Sequence, residues 1–332
     1  MSTAEEVTSA TTPRPRFGIF KRQLHQILAL AALILIYGVF AILSSDFVTY
    51  SNAISILFST VVVGILAIGT TFVIATAGID LSLGTGMTLC AVMAGVFIVQ
   101  WHIPLVIGLV LALAFGGLVG FVNALNIVYL RIPPFIATLA MMLAAEGLSL
   151  VVSHSAPIYF TDVAGYTAIS TGQIFSFLPI PNAVLIFAFV AVIAHIVLTK
   201  TVFGRYALAI GSSEQAASRT GINVRRWLIM VYVVAGLFIG LAAIMITARL
   251  GSAQPALGLG YELQAIAAVV IGGTSLFGGI ATIPGTVIGA LIMSTLTNGL
   301  QIIAVQQEWQ QVALGVVVVA SVYVDSMRRK AS

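Results

Sequence analysis

The sequence predicts an all-α integral membrane protein of about ten transmembrane helices with broken or half-helix elements, and three observations carry that prediction. The 332-residue chain is 60% hydrophobic and 7% charged, with a mean hydropathy of +1.13, too little polar surface for a soluble chain of that length. Its apolar runs approach or exceed the ~20 residues with which a helix spans a bilayer. None alternates with period two, so the backbone satisfies its hydrogen bonds within helices and not in a barrel.

The elements follow in chain order. Residues 1–26 are rich in Ser, Thr and Pro, with Glu5 and Glu6 ahead of Arg14, Arg16, Lys21 and Arg22, and read as a disordered cytoplasmic tail. Residues 27–43 lack a small-x-small cleavage site and read as an uncleaved first span. Further spans are expected over 53–75, 83–99, 105–128, 135–152, 183–198 and 227–248. Alternation puts Asp46 outside and Arg131 inside, as the positive-inside rule requires, and leaves the polar segment 154–181 external. Arg249 is the one basic residue on the wrong side. Residues 263–271 are too short to span alone and are broken by Gly272, Gly273, Gly278 and Gly279, which points to a half-helix or re-entrant element. Pro284 starts a helix to about 303. The last span, near 309–324, closes a transmembrane domain of 27–325 and is followed by a basic tail, 326–332, so that both termini are cytoplasmic.

One internal segment, residues 200–226, interrupts this apolar chain with five of its fourteen Lys and Arg. Its basic bias places it on the cytoplasmic side. A loop of this length with its own helix-forming core at 213–219, where Ser213 can serve as N-cap, asks for a purpose, and docking of a cytoplasmic partner is the one it suits.

The chemistry the chain lacks is as informative. Lys200-Thr201 is preceded by HIVLT, with none of the glycines that cradle a phosphate, so any ATP is captured by another chain. His25, His102, His154 and His195 are scattered, and no hydrolase motif occurs, which argues against an enzyme. Cys90 is alone and forms no intramolecular disulfide. The net charge of +4 is flank and loop charge and gives no reason to invoke nucleic acid. Asp80, Glu146 and Glu262 are the acids at or near membrane depth, where a charge needs a partner, a cavity or a proton. Asp80 and Glu262 either line a hydrophilic path or cap helix ends; Glu146 and His195 read as interhelical hydrogen-bonders. The GxxxG pairs Gly116/Gly120, Gly236/Gly240 and Gly285/Gly289 read as close helix packing. Residues 73–86 and 269–279, one stretch in each half of the chain, share glycine and hydroxyl interruptions of an apolar run, the sign of an internal repeat around a midplane pathway. An ion-coupled secondary transporter is the rival reading, but it wants a deeper acidic or histidine relay and leaves the basic loop unexplained.

Five stretches carry a family resemblance: AGIDLSLG (77–84), PFIATLAMM (134–142), GRYALAIGSSEQAASRTGINV (204–224), ARLGSAQPALGLGYELQAIAAVVIGGTSLFGG (248–279) and the terminal VDSMRRK. In this order they resemble the permease subunits of bacterial ABC importers for monosaccharides of the ribose, xylose, arabinose and galactose type, over nearly the whole chain. The resemblance implies a type II importer-like fold in the bacterial inner membrane. It also implies a short coupling helix that fits a groove on the ATPase, with Glu214, Ala216, Ala217 and Gly221 matching the pattern, and Gly204, Arg205, Gly211 and Asn223 belonging to the same loop. Two ATPase subunits carrying ATP and magnesium, a periplasmic sugar-binding protein and a second permease copy, identical or similar, are the implied partners. No cofactor is expected on this chain. The candidate translocation path comprises Asp80, Ser82, Glu262, Gln264, Gly272, Gly273, Thr274 and Ser275. Gln215 interrupts the EAA-like run, Gln264 stands where the family commonly has an acid, and Ile280-Ala281 replaces a glycine-containing pair; the last two leave the sugar open.

Overall fold

A computed structural model describes residues 17–174 and 179–330. The chain runs α1 (Phe17–Leu43), a 3-10 turn (Ser45–Val48), α2 (Tyr50–Ala75), α3 (Leu83–Gly95), which continues as a π-helix (Val96–Gln100), α4 (Leu105–Val128), α5 (Pro134–Val152), β1 (Ile158–Tyr159) and α6 (Ala168–Thr171). It continues through α7 (Asn182–Lys200), α8 (Val202–Ser212), α9 (Glu214–Arg219), α10 (Val224–Leu250), β2 (Ser252–Ala253), α11 (Tyr261–Ile271), α12 (Ile283–Ile302) and α13 (Gln307–Lys330). Among the described residues nine helices are long and apolar enough to cross a membrane, namely α1 to α5, α7, α10, α12 and α13, and α11 is the short apolar element beside them.

Two boundaries differ from expectation. Helix α1 begins at Phe17, inside the expected tail, because no proline follows Pro15 to stop the helix from running past its apolar stretch; residues 1–16 of that tail lie outside the described residues. Helix α13 likewise carries most of the expected basic tail to Lys330, and 331–332 lie outside the described residues. The half-helix is where glycine spacing put it: α11 stops at Ile271, and Gly273, at φ +94°, turns the chain away. Pro284 lies in the first turn of α12, whose cap Thr282 accepts from the Gly285 N–H.

Helices α2, α3 and α10 form the interior, and their buried side chains are mostly Val, Ile, Leu and Ala. A hydroxyl buried there needs an acceptor. Thr60, Thr70 and Thr71 find one in the carbonyls of Ile56, Leu66 and Ala67, four residues back. Helices α4 and α10 cross backbone to backbone: a Cβ at Gly116 would run into the Gly236 carbonyl, and one at Gly120 into the Tyr232 carbonyl. Cys90 is fully buried on α3. Helices α1 and α13 lie at the periphery, where exposed apolar residues such as Ile34, Leu35, Val316 and Val319 face the place of lipid.

The far end of the bundle is closed by β1 and β2, antiparallel with Ile158 opposite Ala253. Phe160 stacks on Tyr166 at 4.0 Å, and the Tyr166 hydroxyl meets Thr247 Oγ1 at 2.6 Å. Arg249, the basic residue that orientation left out of place, sits 4.9 Å over the Phe58 ring, so an aromatic face accommodates its charge.

Candidate functional site

The basic segment is not a loop with one helical core but a helical hairpin. Thr201 starts α8 by accepting from the Gly204 N–H, and Gly204, Ala207 and Ile210 turn inward while Arg205 stays exposed. Helix α8 ends at Ser212, and Ser213, in extended conformation, caps α9 by accepting from the Ala216 N–H at 3.2 Å. The helix ends as Gly221 permits: φ is +85°, the Gly221 N–H reaches the Ser218 carbonyl at 3.1 Å, and the Ile222 N–H reaches Ala217 at 3.2 Å. These two bonds satisfy carbonyls that a six-residue helix would otherwise leave open. Asn223 caps α10 through the Arg226 N–H.

Ala217 is the only residue of α9 that turns inward, into a small cluster with Ile210 and Val224 flanked by Ile222, Trp227 and Leu228. Tyr206 meets Trp227 edge-on at 5.0 Å. Glu214, Gln215, Ala216, Ser218 and Arg219 are left exposed. Capped at both ends and pinned underneath, α9 is a stiff peg with a free polar face. Beside it opens a cavity of about 630 Å³ whose walls include Thr76, Arg131, Gly211, Glu214, Arg225 and Tyr232.

The two broken stretches of the sequence meet in space. A Cβ at Gly278 would lie 2.8 Å from Ala77, while at the other end of the same turn Gly84 is pressed against the Gly258 carbonyl and Glu262 Oε2. Asp80 and Ser82 lie on this turn, and its Gly84 end forms a seam with Glu262. Asp80 Oδ1 accepts from the Ser82 N–H at 2.8 Å and from Ser82 Oγ at 2.6 Å; Asn123 Nδ2 in turn donates to Ser82 Oγ at 2.9 Å. Because the serine hydroxyl gives its proton to the carboxylate, the amide orientation of Asn123 is fixed. Asp80 thus orders the turn ahead of α3 without capping the helix, whose N-cap is Ser82 with no side-chain cap bond, and Asp80 Oδ2, Asn123 Oδ1 and the Tyr232 hydroxyl are buried without hydrogen-bond partners.

Glu262 stands in the first turn of α11, where Oε1 accepts from the Gly260 N–H at 3.0 Å and Oε2 is buried without a partner. Glu146 lies within electrostatic reach of it. Gln264, two residues on, is half-buried. Gly272, Gly273, Thr274 and Ser275 lie apart from this pair, at the opposite end of α11, about 15 Å from Glu262 at 1.5 Å per residue. There Gly272 packs on the Gly285 backbone, Thr274 Oγ1 accepts from the Thr282 N–H at 3.2 Å, and Ser275 donates to Asp325 at 3.4 Å. His195 makes no interhelical bond through Nδ1, which is buried without a partner. Tyr232, Asn123 and Asp325 escaped the sequence reading; the amides of Asn123 and Asn126 inside an apolar run were the available signal.

The network makes a contrast. Ser82→Ala removes the hydroxyl that joins Asp80 to Asn123 and is expected to cost roughly 1–3 kcal/mol, whereas Tyr232→Phe removes a hydroxyl with no partner and is expected to be neutral or stabilising. Thermal unfolding of the detergent-solubilised chain reads both.

The comparisons with known proteins agree on one family. Residues 52–322 match the family model described as the permease component of the branched-chain amino acid transport system. The ribose import permease protein RbsC of Escherichia coli K12 is 40% identical over 91% of this chain and 94% of its own length. That of Bacillus subtilis 168 is 41% identical over 86% and 88%, and the fructose import permease protein FrcC of Rhizobium meliloti is 33% identical over 92% and 85%. No solved structure matches significantly. Nine candidate spans among the described residues, in a family of transport permeases whose ATP hydrolysis belongs to a separate subunit, make this a multi-pass inner-membrane protein. With a family match over most of its length and relatives this similar, the chain belongs to the permease subunits of ABC importers.

Proposed function

We propose that this chain is the membrane-spanning subunit of an importer that carries a monosaccharide, a pentose or hexose, from periplasm to cytoplasm, driven by ATP hydrolysis on two docked ATPase subunits. The observation that carries the reading is α9: a doubly capped, six-residue peg with an exposed polar face, on the one long basic segment of a chain without any phosphate-cradling pattern. The ATPase groove takes Glu214, Ala216 and the turn at Gly221, with Gly204, Arg205, Gly211 and Asn223 shaping the hairpin; a stiff peg passes on rigid-body motion where a floppy loop would absorb it. The hairpin and both termini face the cytoplasm, and a periplasmic binding protein delivers sugar to the β1–β2 end. A second copy, identical or similar, completes the path.

Within that path Asp80, Ser82 and Glu262, with Gln264, offer acceptors for sugar hydroxyls along the seam, and Gly272 to Ser275 shape its inner end. Buried carboxylate oxygens without partners suit transient hydrogen bonds to a passing polyol, while tight binding resides in the binding protein. ATP and magnesium stay on the ATPase, and this chain holds no cofactor. The relatives named for ribose and fructose support a sugar as cargo.

Reconstitution tests the reading. Uptake of labelled ribose or fructose into proteoliposomes is expected only with ATP, the ATPase and the binding protein together. Accumulation by this chain alone under a proton gradient would establish the ion-coupled rival instead.

A further inference from the structure

Three segments distant in sequence meet at the hairpin end of the bundle largely backbone to backbone, with only the short side chains of Ala77 and Ser212 at the contact. The last residue of α2, Ala75, keeps a carbonyl that its own helix does not cap, and the Gly279 N–H donates to it at 3.1 Å. Gly211, in the last turn of α8, lies over the same carbonyl, and a Cβ there would run into the Ala75 oxygen and lie 2.7 Å from the Gly279 nitrogen. Gly278, at φ +81°, would place a Cβ 2.7 Å from the Gly211 carbonyl, and Gly279, at φ +77°, would place one 2.5 Å from Ser212 Oγ, itself tied to the Leu208 carbonyl at 2.9 Å, and 3.3 Å from Ser212 Cβ.

The piece of chain that reaches this contact is stiff. Between α11 and α12, the Gly278 N–H donates to the Ser275 carbonyl and the Ser275 N–H to the Ile280 carbonyl, both at 3.0 Å, closing a compact turn. The Leu276 N–H donates to Asp325 of α13 at 3.2 Å, and the Thr282 N–H to Thr274 at 3.2 Å. A turn tied at four points moves as a unit. It begins where α11 ends, and the other end of α11 holds Glu262 on the seam with Gly84.

We propose that Gly211, Gly279 and the Ala75 carbonyl form a backbone joint that positions α11, delivering the displacement of α8 and α9 to the half-helix that carries Glu262. This rests on the ATP-driven reading given above and adds to it the route by which a push at the hairpin reaches the solute path. Glycines in the 272–279 stretch then have two tasks: the first pair breaks α11, and the second lets two other backbones close on the connector. Backbone contact suits such a joint, because side chains in between could change rotamer and take up the displacement.

Gly279→Ala puts a Cβ against Ser212 and is expected to uncouple the transporter. The ATPase should still co-purify and hydrolyse ATP at close to its wild-type rate, while uptake falls about tenfold, the scale of a typical coupling free energy. The pair Ser212→Cys and Gly279→Cys separates positioning from mere packing, since a separation of 3.3 Å between Ser212 Cβ and a Cβ at 279 is close to that of a disulfide. Reduced, this variant should be uncoupled like Gly279→Ala; oxidised, the bond restores a rigid joint and uptake should recover at unchanged ATP hydrolysis. The proposal is overturned by full uptake in Gly279→Ala, by loss of ATPase co-purification, which would make Gly279 part of the docking surface, or by an oxidised pair that stays uncoupled. A wild-type chain without ATP-dependent uptake sinks the reading on which the joint depends, and that result is visible before any variant is made.

Discussion

Gly221→Trp is expected to lower ATP-driven uptake at least about thirtyfold, the loss of roughly 2 kcal/mol of docking energy that one central interface position commands, without loss of membrane insertion. Gly221 is exposed, and among the described residues nothing beyond its own chain neighbours lies within 4 Å of a Cβ placed there, so an indole would not disturb the packing beneath it. It would project from the end of the peg into the ATPase groove. The φ of +85° adds about 1 kcal/mol of strain for a bulky residue. Gly221→Asn, which tolerates a left-handed backbone, should retain uptake, and Glu214→Arg should lose it, since a cation then stands at the amino end of α9 and in the groove. Co-purification of the ATPase beside the uptake assay reads all three, and wild-type uptake in Gly221→Trp would remove α9 as the docking element.

Gly120→Leu is expected to abolish folding. Where α4 crosses α10 there is no room even for a methyl group, because the obstacle is the Tyr232 carbonyl and not a side chain that can rotate away. Separating the two helices would open the interior along their length and cost roughly 3 kcal/mol or more. Gly147→Leu on α5, where nothing lies within 4 Å of the added Cβ, is the control and should leave thermal unfolding unchanged. Comparable detergent-stable yields from the two variants would contradict the tight crossing.

The crossing was legible in the sequence, because paired glycines four apart in an apolar run have few other uses. So was α9, whose cap Ser213 and terminator Gly221 are local signals, and so was the break after Ile271. The inward face of α8 was not, since charge density alone marks 200–226 as exposed and hides that Gly204, Ala207 and Ile210 share one side. The seam is the clearest case of partial legibility. Glycine-rich stretches in both halves of the chain pointed to a shared place, but a sequence does not say that Gly84 lies on Glu262, or that Ser82 hands its proton to Asp80 and accepts from Asn123. The Ser82–Asp80 bond is local, but the other two pairings join residues 41 and more positions apart, and only the packing of α3, α4 and α11 creates them.

Cys90 lies sealed in the middle of α3 with no accessible surface. A chain whose single thiol is shut away from reagents is already a blank background for maleimide chemistry. A fluorophore or spin label attached to a cysteine introduced at exposed Ser218 would report from that position alone, so the peg can be watched through a turnover cycle without first stripping native sulfur from the protein.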